Sequence, residues 1–183
     1  KVDIKKGNPE FIYLFHNDVK IASLILAAGD KVQVHADTLG NYAVSGSDES
    51  EKLAQVERDY ASALSRMMKA ATSTEMAQEY VSYYRACVKY IMENSRSLSS
   101  VPVLYQTMGE NLPVFGQMTD GIHFRNTADS LELVYPDSKY VKALRKEADT
   151  RFSYLEVAAL LSNAKEIGYP EIELPDVQGN KIK

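Results

Sequence analysis

The side chains able to carry chemistry are few and scattered along the chain. There is one cysteine, Cys87, so neither an internal disulfide nor a CxxC dithiol can form from these residues. A lone thiol becomes a nucleophile where a helix N-terminus or nearby cations lower its pKa. Arg85 and Lys89 are close in sequence, but Cys87 lies mid-way along an apolar helical stripe between Tyr84 and Val88. There a cysteine behaves as a small hydrophobe, and the core reading is favoured over the reactive one. The histidines His16, His35 and His123 fall in a turn, a strand and a loop, without HxxxH or HExxH spacing. Nothing in that pattern calls for a metal or a cofactor. GxSxG, Walker and GxGxxG motifs are absent. Glu49, Glu51, Glu57 and Asp59 alternate with Lys52 and Arg58 as a solvated helix face would. No two carboxylates share the apolar setting that general acid–base catalysis uses.

The tyrosines are the remaining unusual feature. There are twelve, with Tyr80, Tyr83, Tyr84 and Tyr90 gathered in one helical stretch. Tyrosine is enriched in interfaces, and it also packs at the rim of a core with its hydroxyl reaching water. Packing is the favoured reading for the group. Tyr83 and Tyr90 fall off the inner stripe, which makes them the candidate interface residues toward a peptide, another domain or a second copy of the chain.

The elements that must hold these residues follow from period and punctuation. At 183 residues with 45% hydrophobic side chains, a core can form without disulfides or metals. The net charge of −4 argues against nucleic acid as a partner. No apolar run is long enough for a transmembrane segment. The opening Lys1-Val2-Asp3-Ile4-Lys5-Lys6 has neither an initiator methionine nor signal-peptide character, which predicts a chain whose targeting segment has been removed.

Residues 1–47 read as a β-rich subdomain. Phe11–Phe15, Val19–Leu26, Lys31–Ala36 and Tyr42–Ser45 are strand-like, separated by Asn17-Asp18, Gly29-Asp30 and Leu39-Gly40-Asn41, and they predict an antiparallel meander or sandwich. Residues 48–168 read as helical. Asp48 with Glu51, and Thr72 with Glu75, are candidate capping boxes. Behind the first, Leu53, Val56, Tyr60, Ala63, Leu64, Met67 and Ala71 form one face. Behind the second come Met76, Tyr80, Tyr84, Cys87, Val88 and Ile91. A third helix is predicted with Pro102 in its first turn and Leu104, Met108, Leu112 and Phe115 along it. Asp120-Gly121 marks a loop, and a short helix carrying Leu131, Val134 and Tyr135 stops before Pro136. A long helix follows, capped by Asp137 or Ser138. Its inner face carries Val141, Leu144, Ala148, Phe152, Leu155, Ala159 and Leu160, and Gly168 ends it before Tyr169-Pro170. Strands first and four to five helices second is an α+β order.

The last fifteen residues carry the most specific pattern. In Tyr169-Pro-Glu-Ile-Glu-Leu-Pro-Asp-Val-Gln-Gly-Asn-Lys-Ile-Lys183, the residues Ile172, Leu174, Pro175, Asp176, Gly179 and Lys181 resemble the "apolar–x–Leu–Pro–Asp–x–x–Gly–Lys" hairpin that opens thioredoxin-fold domains of the TlpA-like and AhpC/TSA type. Locally it reads as a strand ending at Pro175, a turn through Asp176 to Gly179, and a new strand, all expected as an extended appendage to the core. Three upstream passages are similar to N-terminal domains that precede such modules in Bacteroidetes envelope proteins. They are Gly29-Asp30-Lys31-Val32-Gln33-Val34 with Val44-Ser45-Gly46-Ser47, Tyr90-Ile91-Met92-Glu93-Asn94-Ser95-Arg96-Ser97, and Tyr135-Pro136-Asp137-Ser138. Ser95 stands where the family commonly has proline.

The resemblance implies that residues 169–183 are a linker and the truncated start of a thioredoxin-like domain, and that the preceding residues are a non-catalytic N-terminal domain of a thiol–disulfide oxidoreductase. It further implies a periplasmic or outer-membrane setting, often as a lipoprotein. The expected partners are the C-terminal thioredoxin-like domain of the same parent, its protein clients, or a second copy in a homodimer. The family's catalytic residues have no counterparts in this chain. Two other expectations stand beside this one: a free-standing helical module that binds peptide or an envelope protein, and an enzyme using Cys87.

Overall fold

The computed structural model describes residues 7–37 and 39–163, and the short strands at 174–175 and 181–182. The α+β order holds: among the described residues antiparallel strands come first and five helices follow. Strand β1 (Glu10–His16) pairs with β2 (Val19–Leu26), and β3 (Gln33–Ala36) with β4 (Tyr42–Ser45). Each pair is its own two-stranded sheet rather than part of a continuous meander. The first hairpin turns on Asn17 and Asp18, both left-handed at φ 46° and 63°. Asn and Asp tolerate that region, and two successive positive φ values match the right-handed twist of the flanking strands.

The buried run Ala22–Leu26 of β2 lies against α1 (Asp48–Lys69). Two serines at the start of that helix replace a further strand. Ser50 Oγ accepts from Ile25 N at 3.0 Å and donates to Ile25 O at 2.7 Å, and Ser47 Oγ donates to the same carbonyl at 3.0 Å. The backbone N–H and C=O of Ile25 on β2 are thereby satisfied without another ladder. Gly46 leads into this junction at φ 93°, and a Cβ there would collide with the Lys31 carbonyl oxygen.

The first cap sits one residue earlier than the sequence indicated. Ser47, not Asp48, is the N-cap: its hydroxyl accepts from Ser50 N, while Glu51 reaches back to Gly46 N at 3.0 Å. The second is where it was expected. Ahead of α2 (Ser73–Glu93), Thr72 Oγ1 accepts from Glu75 N at 3.1 Å and Glu75 accepts from Ala71 N at 2.8 Å.

The expected third helix is cut short. α3 spans Ser100–Leu104, with Pro102 in its only turn, and the chain then forms a small hairpin of β5 (Thr107–Met108) and β6 (Leu112–Pro113). Gly109 at φ 73° makes that turn. Asp120-Gly121, expected as a loop, instead joins a 3-10 turn (Met118–Asp120) to α4 (Gly121–Glu132). A Cβ there would lie 3.2–3.4 Å from Leu155 and Arg151 of the last helix, so a larger residue would need that helix to give by a few tenths of an ångström. That helix, α5 (Lys139–Asn163), begins with Ser138 in the cap position, where its carbonyl accepts from Lys142 N.

The main core joins β2 to the helices, with Phe115, Phe124, Leu131, Val141 and Leu144 among its fully buried members, and a smaller cluster of Ala22, Tyr42 and Ala54 packs the second hairpin against α1. The inner face of α5 is buried through Ala148 and half-buried at Phe152 and Leu155. Leu160, placed on that face by its spacing, is exposed, as are Tyr154, Val157 and Leu161. Among the described residues no helix is long and apolar enough to cross a membrane. Strand β7 (Leu174–Pro175) pairs antiparallel with β8 (Lys181–Ile182). The predicted turn at Asp176–Gly179 and the predicted helix stop at Gly168 lie outside the described residues.

Candidate functional site

The cysteine and the two candidate interface tyrosines come together, although not as a surface. Tyr83 is buried and donates its hydroxyl to Gln106 Oε1 at 2.7 Å, and Cys87 Sγ lies 3.7 Å from the same oxygen. Tyr90 is half-buried, its hydroxyl 2.7 Å from Ser99 Oγ. Both tyrosines therefore lie on the inner face of α2, contrary to the placement read from the sequence. The reason is that α2 is flanked on two sides. Tyr83 and Tyr90 face α1 and α3, while Tyr80 bonds Pro113 O at 2.9 Å and Tyr84 bonds Asp120 Oδ1 at 2.7 Å on the other flank. A helix packed on two sides buries a wider arc than one stripe. Met76, assigned to the stripe, is exposed near the start of the helix.

Burial pushes the Cys87 thiol up to about 11; a hydrogen bond from Tyr83 opposes the shift and the charge of Asp59 adds to it. With 4% of its surface exposed, Cys87 lacks the thiolate character of a reactive cysteine.

These residues wall a cavity of about 220 Å³ in the seam between α1 and α2. Its floor is Val56, Cys87 and Val103, its sides are Tyr83 and Tyr90, and its rim holds Asp59, Ala86, Lys89 and Glu93. Asp59 accepts a hydrogen bond from Gln55 Nε2 at 2.7 Å. Lys89 and Glu93 form an exposed pair at 3.8 Å. Burial raises the pKa of both tyrosines; Cys87 and then Asp59 add to it at Tyr83, and the charges of Glu49, Asp48 and Asp59 add to it at Tyr90 against the hydrogen bond with Ser99.

A second polar cluster lies on the opposite side of α1. Glu57 Oε1 accepts from Ser23 Oγ at 2.6 Å and Lys20 Nζ at 3.0 Å, and Oε2 accepts from Tyr42 OH at 2.7 Å. Lys20 Nζ is also 3.1 Å from Ser23 Oγ, a spacing that would suit a serine nucleophile and a lysine base. The chemistry is excluded by access and charge. Ser23 is 1% exposed within β2, and Lys20 Nζ is a donor to both Ser23 Oγ and Glu57 Oε1, the latter as an ion pair. The cluster ties both hairpins to α1. Glu57, read from the sequence as part of a solvated face, is its centre. Glu49 is likewise engaged, accepting from Ser97 Oγ at 2.7 Å. The signal that marks this inner face is Ser50 and Ala54, small residues one turn apart, with Glu57 the next position along.

The histidines remain apart. His16 ends β1, His35 is in β3, and His123 lies within α4 rather than in a loop, with its ring 5.5 Å from Phe115. Burial lowers the His123 pKa. Among the described residues no group of histidine, cysteine and carboxylate side chains could hold a metal ion.

No family model, curated protein or solved structure matches the chain. The function therefore rests on the site itself and on the pattern of the C-terminal residues. Among the described residues the site is a side-chain-sized cavity, with a thiol in its floor and a carboxylate at its lip. Such a site can bind; it holds no nucleophile with a base beside it.

Proposed function

We propose that this chain is a non-catalytic domain of a thiol–disulfide interchange protein of the cell envelope. It positions or pairs a thioredoxin-like module that follows it, or receives that module's protein clients. The observation that carries the reading is the C-terminal pattern Leu174-Pro175-Asp176 with Gly179 and Lys181, whose two flanking dipeptides pair antiparallel as the opening hairpin of such a module would. The state of Cys87 supports it: a thiol raised to about 11 and buried is a poor exchange partner. In this reading the exchanging dithiol belongs to the following module. The coding sequence beyond Lys183 tests the proposal. A CxxC within about 50 residues, the scale of half a small domain, supports it, and its absence overturns it.

A second reading is favoured by one observation, the cavity beside Asp59. A free-standing module that binds a peptide or another envelope protein needs a pocket and no chemistry. A stop codon close behind Lys183 would favour it over the first.

A further inference from the structure

We propose that the cavity between α1 and α2 binds one organic cation, an alkylammonium or guanidinium group of the kind carried by a lysine or arginine side chain of a protein partner. The inference concerns what the cavity takes and does not depend on whether a thioredoxin-like module follows.

Size comes first. At about 220 Å³ the cavity falls below the several hundred cubic ångströms of sites for drug-sized ligands, and it suits one side chain or a fragment of that size. Its floor of Val56, Cys87 and Val103 is matched to a hydrocarbon stem. Tyr83 and Tyr90 also line it, and an aromatic ring attracts a cation held over its face. These are the properties that let lysine and arginine bury a stem while keeping a charged head near water.

Charge decides the head group. Asp59 at one lip takes its hydrogen bond from a neutral group, Gln55, and no lysine or arginine pairs with it among the described residues. At the other lip Glu93 is held loosely by Lys89, at 3.8 Å with both side chains largely exposed. Asp59, Glu93 and Lys89 together leave the rim with a net charge of −1. The charge of Asp59 reaches the lining, where it is the smallest of the influences on Tyr83, Cys87 and Tyr90. An anion entering would meet that field. A neutral group would gain nothing from it. A cation offers the pairing that Asp59 lacks.

The test titrates n-butylammonium and n-butylguanidinium into the full 183-residue chain, with n-butanol and butyrate as neutral and anionic counterparts, and follows backbone and methyl NMR signals. The expected result is saturable shifts at Val56, Ala86 and Val103 with the cations, and affinity at least about tenfold weaker for butanol and butyrate. Asp59→Asn should bring the cations down to the level of butanol. Glu156→Gln, an exposed charge on α5, should leave them unchanged. Ala86→Leu enters the mouth from an exposed helix position that any helix former tolerates, and should block all four probes. A capped Gly-Lys-Gly peptide that binds at least as well as butylammonium assigns the site to a basic side chain of a protein. Binding of the free amines with exclusion of the peptide overturns that source. Equal affinity for butanol and butylammonium, unchanged affinity in Asp59→Asn, shifts mapping elsewhere, or no saturation by about 50 mM, well beyond millimolar binding, overturns the proposal as a whole.

Discussion

Two carboxylates on α1, Glu57 and Asp59, stand two residues apart and face opposite sides of the helix. Glu57 receives Ser23, Lys20 and Tyr42 through three short hydrogen bonds, and each donor comes from a strand that must stay against α1. Asp59 receives one, from a neighbour on its own helix, and borders a cavity. The sequence around them gives both the look of a solvated acidic face. The difference lies in saturation. A carboxylate whose lone pairs are filled by other elements holds those elements together, whereas one with spare capacity beside a cavity is able to bind a ligand.

Replacing each residue is the strongest way to break that contrast. Glu57→Ala leaves the buried Ser23 hydroxyl without its acceptor and the Tyr42 hydroxyl with only the Ser23 carbonyl, at 3.2 Å, and should cost about 2–3 kcal/mol, the scale for a buried polar group left unpaired. Asp59→Ala should stay within about 0.5 kcal/mol, as surface substitutions do. Urea unfolding of the two variants measures both, and equal losses would abolish the distinction.

Acid titration addresses the same pair with a smaller effect. Burial alone would raise the Glu57 pKa, but hydrogen bonds from Ser23, Tyr42 and Lys20, together with the Lys20 charge, outweigh it and hold the carboxyl below its ordinary value. A depressed folded-state pKa means that the unfolded chain takes up the proton first. The contribution of Glu57 is therefore complete above the unfolded value of about 4.3 and is lost as pH falls through the folded one. Stability measured in steps from about pH 6 to 3 should fall less steeply in Glu57→Gln than in the parent. Tyr42→Phe removes one of the three donors while keeping the ring, and should cost about 1 kcal/mol by urea unfolding.

The same contrast explains what could be read from the sequence. Turn and cap chemistry was legible because it is local: Asn17-Asp18 reverses the first hairpin and Thr72 with Glu75 opens α2. Periodicity was less secure. Leu104, Met108, Leu112 and Phe115 are spaced as a helix would space them, yet Gly109 in a left-handed conformation turns the segment into a hairpin. Period reports which side chains are apolar; it does not report what lies opposite them. For that reason Leu160 fitted the stripe of α5 and is exposed, while Tyr83 was placed off the stripe of α2 and is buried. Assigning one face per helix assumes one neighbour, and α2 packs against α1, α3 and α4. The cavity and the Glu57 cluster were illegible for a related reason, since both join residues far apart in sequence: Val56 to Val103, and Ser23 to Glu57.

The smallest effect tests the link between Asp59 and the cavity floor. At a thiol pKa of about 11, the thiolate fraction at pH 8 is roughly one in a thousand, so native labelling by a thiol reagent should be slow and unfolded labelling fast. Asp59 disfavours the Cys87 thiolate. Asp59→Asn should therefore lower the thiol pKa slightly and speed native labelling by less than about threefold, the range of one partly screened charge, at unchanged stability. If the reagent reached Cys87 only after global unfolding, the rate would follow stability instead. Glu57→Gln, which weakens the fold, would then label fast, and Asp59→Asn would label like the parent. That reversed pattern would mean the cavity is closed to reagents in the folded protein, and the spare capacity of Asp59 would face solvent rather than a site.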